Sequence, residues 1–199
     1  MKKNCTSKFD ESIDISFSIN LKNKKEETNL RTVVNLPNGN GKKIKIAVLC
    51  EETKIQEAKD SGAELFGSTN LIDDITAGKI NFDKLIATPA MMSKMGKLGK
   101  ILGPKGLMPN PKLGTVTTNI KSSVKALKSG QIEIKNDKDG NLAASIGRKS
   151  FVDAKIEENY NAIKQNILKE KPNGIKGDFI LSAFITSTMG VSYKLKINR

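Results

Sequence analysis

Apolar residues in this chain obey two different rules, and the switch between them is the tightest constraint on its fold. Ile13, Ile15, Phe17, Ile19 and Leu21 alternate with Asp14, Ser16, Ser18 and Asn20. A period of two marks a strand with one face in a core and the other in water. Residues 44–49 are instead nearly continuous and apolar, as in a strand covered on both faces. From there strand and helix patterns alternate: a helix over 53–61 with Gly62 at its end, a strand at 64–67, a helix over 71–77 capped by Ser68 or Asn70 and closed by Gly78, and a strand at 85–88. That order predicts a small parallel α/β sheet. The alternating texture then returns, ending on Val191, Tyr193, Leu195 and Ile197. The economical reading is an insertion. Residues 1–37 and 131–199 form a split α+β domain, interrupted by an inserted three-layer α/β domain over 38–130. Two crossing linkers would permit hinge motion.

Punctuation along the flanks fits this plan. A polar loop is expected over 22–29, and a strand over 32–36 ends at Pro37-Asn38-Gly39-Asn40-Gly41. Strands at 132–135 and 142–146 flank the turn-rich stretch Asn136 to Asn141, which predicts a hairpin. Val152, Ile156, Tyr160, Ile163 and Ile167 recur at helical spacing, with Asp153 expected as N-cap and Pro172 beyond the end. A further strand is expected over 179–185.

Charge indicates the partner. Lys and Arg number 34 against 21 Asp and Glu, a net charge of +13. Such a surplus suits a polyanion, above all nucleic acid. An anionic membrane fits less well, because no helix pattern joins a basic face to a strongly apolar one, and no apolar run is long enough to cross a bilayer. Both the insert and the flanks are basic, so charge does not choose between them. Arg31, Arg148 and Arg199 are the only arginines; the bias to Lys and Asn fits an AT-rich genome.

Several chemistries drop out. With no histidine there is no Ser-His-Asp triad, Cys-His pair or His-containing zinc site. Aromatic residues make up 5% of the chain and tryptophan is absent, which disfavours a stacked-aromatic platform. Cys5 and Cys50 are expected as reduced thiols. The Gly/Lys stretch Gly96 to Gly106 lacks the spacing of a Walker loop, and Pro104 removes one N–H from any phosphate cradle. It is expected to be a structured surface loop that touches RNA or packs the α/β domain. The pairs Glu51-Glu52, Asp73-Asp74 and Glu157-Glu158 diverge by about 100° on a helix and do not converge on a metal. Met91, Met92 and Met95 suit core filling.

Two short segments are harder to explain as scaffold. Thr186-Ser187-Thr188-Met189-Gly190 puts three hydroxyls in a row, able to bond phosphate and 2′-OH groups, beside a methionine able to pack on ribose. Gly147-Arg148-Lys149-Ser150 places cations before a helix, a setting that attracts anions. A hydroxyl-rich β turn and a solvated turn are the plain alternatives.

At these residues the sequence resembles the L-one family of large-ribosomal-subunit proteins. The resemblance covers nearly the whole chain: Lys8-Phe9-Asp10-Glu11-Ser12; Arg31-Thr32-Val33-Val34 with Leu36-Pro37 and Gly39; Ile101 to Lys112 with Gly114-Thr115-Val116; Gly147; Ser150-Phe151; and Thr188-Met189-Gly190. It implies an α+β domain interrupted by a Rossmann-like α/β domain and a structural protein of the ribosome, with no catalysis and no cofactor. The split domain would bind a helix junction in large-subunit ribosomal RNA. The mobile stalk so formed would contact exit-site tRNA and help deacylated tRNA leave. Bacterial members can also repress their own messenger RNA. By position, the RNA surface would include Lys8, Phe9, Ser12, Lys149, Ser150, Thr188, Met189 and Gly190, joined by Arg148 and Ser187 from the two segments above. The Leu-Met-Pro-Asn-Pro-Lys ending of the Gly/Pro segment resembles the bacterial or organellar branch, which implies a bacterial cytoplasm or a mitochondrial matrix. The resemblance implies a longer helical extension ahead of Lys8 in bacterial relatives, and here seven residues precede it; part of the split domain's usual cover is expected to be absent or supplied by a neighbour.

Overall fold

In the computed structural model, which describes residues 1–20, 30–171 and 177–197, the alternating run near the start forms β1 (Ser12–Ile19). It is followed by β2 (Arg31–Asn35), β3 (Ile46–Leu49), α1 (Ile55–Asp60), β4 (Leu65–Gly67), α2 (Thr69–Thr76), β5 (Lys84–Ala87), the single turns α3 (Met92–Met95) and α4 (Gly99–Leu102), and α5 (Ile120–Lys128). Then come β6 (Gln131–Lys135), β7 (Asn141–Arg148), α6 (Asp153–Lys169), β8 (Ile180–Ser187) and β9 (Tyr193–Leu195). Contacts divide the chain into two compact units, Met1–Lys42 with Ser129–Arg199, and Lys43–Lys128. The ends of two expectations, Leu21 with the loop at 22–29 and Pro172, lie outside the described residues.

The first unit is built on an antiparallel sheet of order β7-β1-β8-β9. β1 is an inner strand, and Ile13, Ile15, Phe17 and Ile19 are all buried on one face. Ile156, Ile163 and Ile167 of α6 join the same core, with Val34 and Leu36 from the β2 region and Ile134 from β6. Burying each such side chain is worth about 1.5–3 kcal/mol. Tyr160 stacks on Phe17 with ring centroids 6.1 Å apart.

Two expectations change here. The turn at 136–141 forms, with Asp137 Oδ1 accepting from the N–H groups of Asp139 and Asn141. Its arms do not make a hairpin sheet, because β6 pairs with β2 while β7 pairs with β1. Only the Asn136–Leu142 bridge joins the arms among the described residues. The apolar pattern of either arm is satisfied by an earlier strand, and turn chemistry alone could not reveal that. The N-cap of α6 is Val152, and Asp153 is the first helical residue; there its charge favours the helix dipole and pairs with Lys2 at 2.6 Å.

One polar residue sits deep in this unit. Asn159 of α6 is fully buried. Its Nδ2 donates to Gly39 O and Ile146 O, both at 2.8 Å, and its Oδ1 accepts from the Asn38 N–H at 3.2 Å. Nearby, Gly130 has φ +103°, and a Cβ there would lie 2.4 Å from Gly39 Cα. Only glycine fits that approach.

The second unit is a parallel sheet of order β4-β3-β5. All of β3 is buried, as its continuous apolar run requires. One face carries Leu71 and Ile75 of α2; the other carries Ala58 of α1 and Ile120, Val124 and Leu127 of α5. Of the two roles expected for the Gly/Pro-rich segment, packing of the α/β domain is the one the contacts show. Met91, Met95, Leu98 and Leu102 recur at helical spacing and pack into the core of the α2 face, while Lys94, Lys97, Lys100, Lys105 and Lys112 stay exposed. Met91 and Met95 are core residues, as their spacing suggested.

Candidate nucleic-acid interface

Register explains how distant segments meet. β1 runs antiparallel to both β7 and β8, with Ser12 opposite Arg148 and Ile13 opposite Ser187. The start of β1 and the ends of β7 and β8 therefore share one end of the sheet. This brings together the stretches around residues 8–12, 148–150 and 187–190.

Thr188 and Ser12 are knitted directly. The Ser12 N–H donates to Thr188 Oγ1 at 3.0 Å, the two hydroxyls lie 2.9 Å apart, and the Thr188 N–H donates to Ser12 O at 3.2 Å. Next to them Phe9 and Met189 are 54% and 71% exposed. Both are large apolar groups held in water beside polar backbone, the kind of contact a ribose or base face can cover. Lys8 is exposed as well.

The second turn is equally ordered. The Ser150 N–H and Oγ donate to Asp10 Oδ1 and Oδ2 at 3.0 and 2.9 Å, and Arg148 Nη1 lies 3.8 Å from Asp10 Oδ2. Lys149 is half-buried, and its Nζ donates to Cys5 O at 2.9 Å. Its ammonium therefore also holds the chain start, beyond the phosphate role expected for it. Ser187 departs from expectation. It is only 3% exposed, turned inward beside the buried Glu11 carboxylate. It backs the turn rather than offering a hydroxyl at the surface. Gly190 is required beside it, because a Cβ there would come within 2.2 Å of Ser187 Oγ.

Sequence reasoning missed the acidic pair at the centre. Glu11 is fully buried. Its Oε2 accepts from the Met189 N–H at 3.2 Å and its Oε1 from the Ser7 N–H at 3.3 Å. Burial works against its charge, but the Met189 N–H, with the Ser187 and Ser7 groups, outweighs burial and brings the carboxyl below its ordinary value. The available signal was the oddity of Asp10-Glu11 amid residues expected to meet an anion. Among the described residues no group of three or more Cys, Asp or Glu could hold a metal ion, and no helix is long and apolar enough to cross a membrane.

Residues 1–191 match the family model described as the ribosomal protein L1p/L10e family. The chain belongs to this family. The L1 resemblance seen in the sequence is thereby met over almost its full length, and the chain is a ribosomal protein of the large subunit, structural and not an enzyme. A protein of Pelagibacter ubique named large ribosomal subunit protein uL1 is 62% identical over all of this chain and 87% of its own length. Proteins of the same name from Rickettsia peacockii and Rickettsia conorii are each 47% identical over 96% of this chain and 80% of their own length. These L1 relatives are bacterial, so the mitochondrial alternative has no relative among them.

Proposed function

We propose that this L1 protein binds large-subunit ribosomal RNA at the mobile stalk and assists release of deacylated tRNA from the exit site. The unit made of the two chain ends would be the RNA-binding domain, and residues 43–128 a Rossmann-like insertion. The observation that carries the reading is the convergence of Lys8, Phe9, Ser12, Ser150, Thr188 and Met189 at one end of the four-stranded sheet. Bonding within the turns leaves little freedom to be lost on binding, which favours a shaped RNA site over loose charge attraction. The surplus of cations adds steering that does not depend on RNA sequence. The bacterial names of the relatives favour a bacterial ribosome as the setting.

Filter-binding titrations against the stalk fragment of large-subunit ribosomal RNA, at two salt concentrations and with an unrelated hairpin as control, test the reading. Tight, selective binding that persists at the higher salt supports it. Weak binding that ignores RNA identity and collapses with salt refutes it, since net charge alone would then explain the affinity. For the tRNA step, ribosomes with and without the protein should differ in the dissociation rate of deacylated exit-site tRNA.

A further inference from the structure

We infer that Asp10 and Glu11 are positioning residues for the RNA surface: adjacent carboxylates, each holding one of its two turns. The inference rests on the RNA-binding reading above. Two carboxylates are a poor choice on electrostatic grounds for a surface meant to meet phosphate, and their bonding explains why they stand there. Asp10 accepts twice from Ser150 and faces Arg148. Glu11 accepts from Met189 and Ser7. The Lys149 N–H donates to the Glu11 carbonyl at 2.8 Å, so the backbone of the pair is tied to the same turn. The Asp10 carboxylate reaches the Ser150 turn and the Glu11 carboxylate the Met189 turn, so one dipeptide serves two turns. Neither carboxylate needs to touch RNA. Together they fix where Ser150, Thr188 and Met189 stand relative to one another.

The test exploits a conflict of sign. Removing a negative charge beside a polyanion should tighten binding to every RNA. Removing a positioning group should weaken binding to the shaped target alone. Glu11→Ala and Asp10→Ala are titrated against the stalk RNA fragment and an unrelated hairpin, with Glu11→Gln and Asp10→Asn as variants that keep one acceptor. Each alanine variant should lose about 10-fold in affinity for the stalk fragment, the scale of one charge-assisted hydrogen bond. The hairpin should bind as before or tighter, and the amide variants should recover part of the loss. The salt slope should not change, because no cation is removed. Amide exchange should accelerate at Met189 in Glu11→Ala and at Ser150 in Asp10→Ala, with melting temperature recorded for each. Should Glu11→Ala fail to fold, Glu11→Gln and Asp10→Ala carry the comparison. Alanine variants that match a selective wild type, or that bind both RNAs more tightly, overturn the inference. A wild type with no preference between the RNAs overturns the RNA reading itself, a different and recognisable result.

Discussion

Replacing Asn159 with alanine tests the packing argument at its most demanding point. Three hydrogen bonds end on that side chain. The Ile146 carbonyl is wholly buried and has no route to water; leaving it unpaired costs about 2 kcal/mol, within the range for a buried orphan. The Asn38 N–H and the Gly39 carbonyl are only part-buried and can be rehydrated, so each loss is about 0.5–1 kcal/mol. The sum is about 3–4 kcal/mol, a large share of the stability of a small domain. In urea unfolding with a slope near 2 kcal/mol/M, the midpoint should fall by about 1.5–2 M. Asn159→Asp should be worse, because a buried carboxylate would face two carbonyl oxygens that now accept from an amide. Amide exchange at Asn38 should accelerate in both variants. An alanine variant within 1 kcal/mol of wild type would refute the assignment of these bonds as a structural staple.

Other outcomes follow from the same geometry. Gly130→Ala puts a Cβ 2.4 Å from Gly39 Cα at a φ of +103°, so it should destabilise by about 2 kcal/mol or more, read as a lower melting temperature; an unchanged melt would contradict it. Met189→Ala, at a residue 71% exposed, should alter stability by less than about 0.5 kcal/mol yet weaken stalk-RNA binding by about 1 kcal/mol in a parallel titration. Glu11, Glu64 and Asp137 all sit below their ordinary pKa values. At Glu64 the Ile46 N–H is the main cause and at Asp137 the Asn141 N–H; at Glu11 the hydrogen bond from Met189 leads the groups that outweigh burial. Carboxylates depressed in the folded state stabilise it above their unfolded values and lose that contribution as pH falls through the folded ones. The urea midpoint should therefore be steady from about pH 7 to 5 and decline below about pH 4.5, and a flat profile down to pH 3 would count against these bonds.

Legibility from sequence depended on whether a residue's reason was local. The burial of Ile13, Ile15, Phe17 and Ile19 follows from alternation along one strand, and the burial of β3 from an unbroken apolar run. Met91 and Met95 were readable as core filling, whereas Leu98 and Leu102, which continue the same helical spacing, were not, because the glycines between them read as a loop. Pairing partners were not local: nothing in residues 131–148 says that β6 will join β2 while β7 joins β1. At the candidate site, Thr188 stood out by chemistry and by family resemblance, and Ser12 by the resemblance alone. Glu11 and Asn159 did not, because their value lies in backbone groups far away in sequence that only the folded chain brings to them. The burial of Ser187 was not legible for the same reason, since a hydroxyl in a polar run gives no hint that it points inward.

The contact of Gly39 with Gly130 has a consequence for how this architecture can change. The chain departs the four-stranded unit just after the first of these glycines and rejoins it just before the second, at nearly one point. To that unit, everything in between is a closed loop with its ends already stitched together, where the Leu36 N–H meets the Gly130 carbonyl. The entropy of closing such a loop grows only with the logarithm of its length, about 0.6 kcal/mol for each doubling. Segments between the stitches can therefore be lengthened, trimmed or exchanged at little expense to the sheet and the turns at its end, provided that both glycines remain.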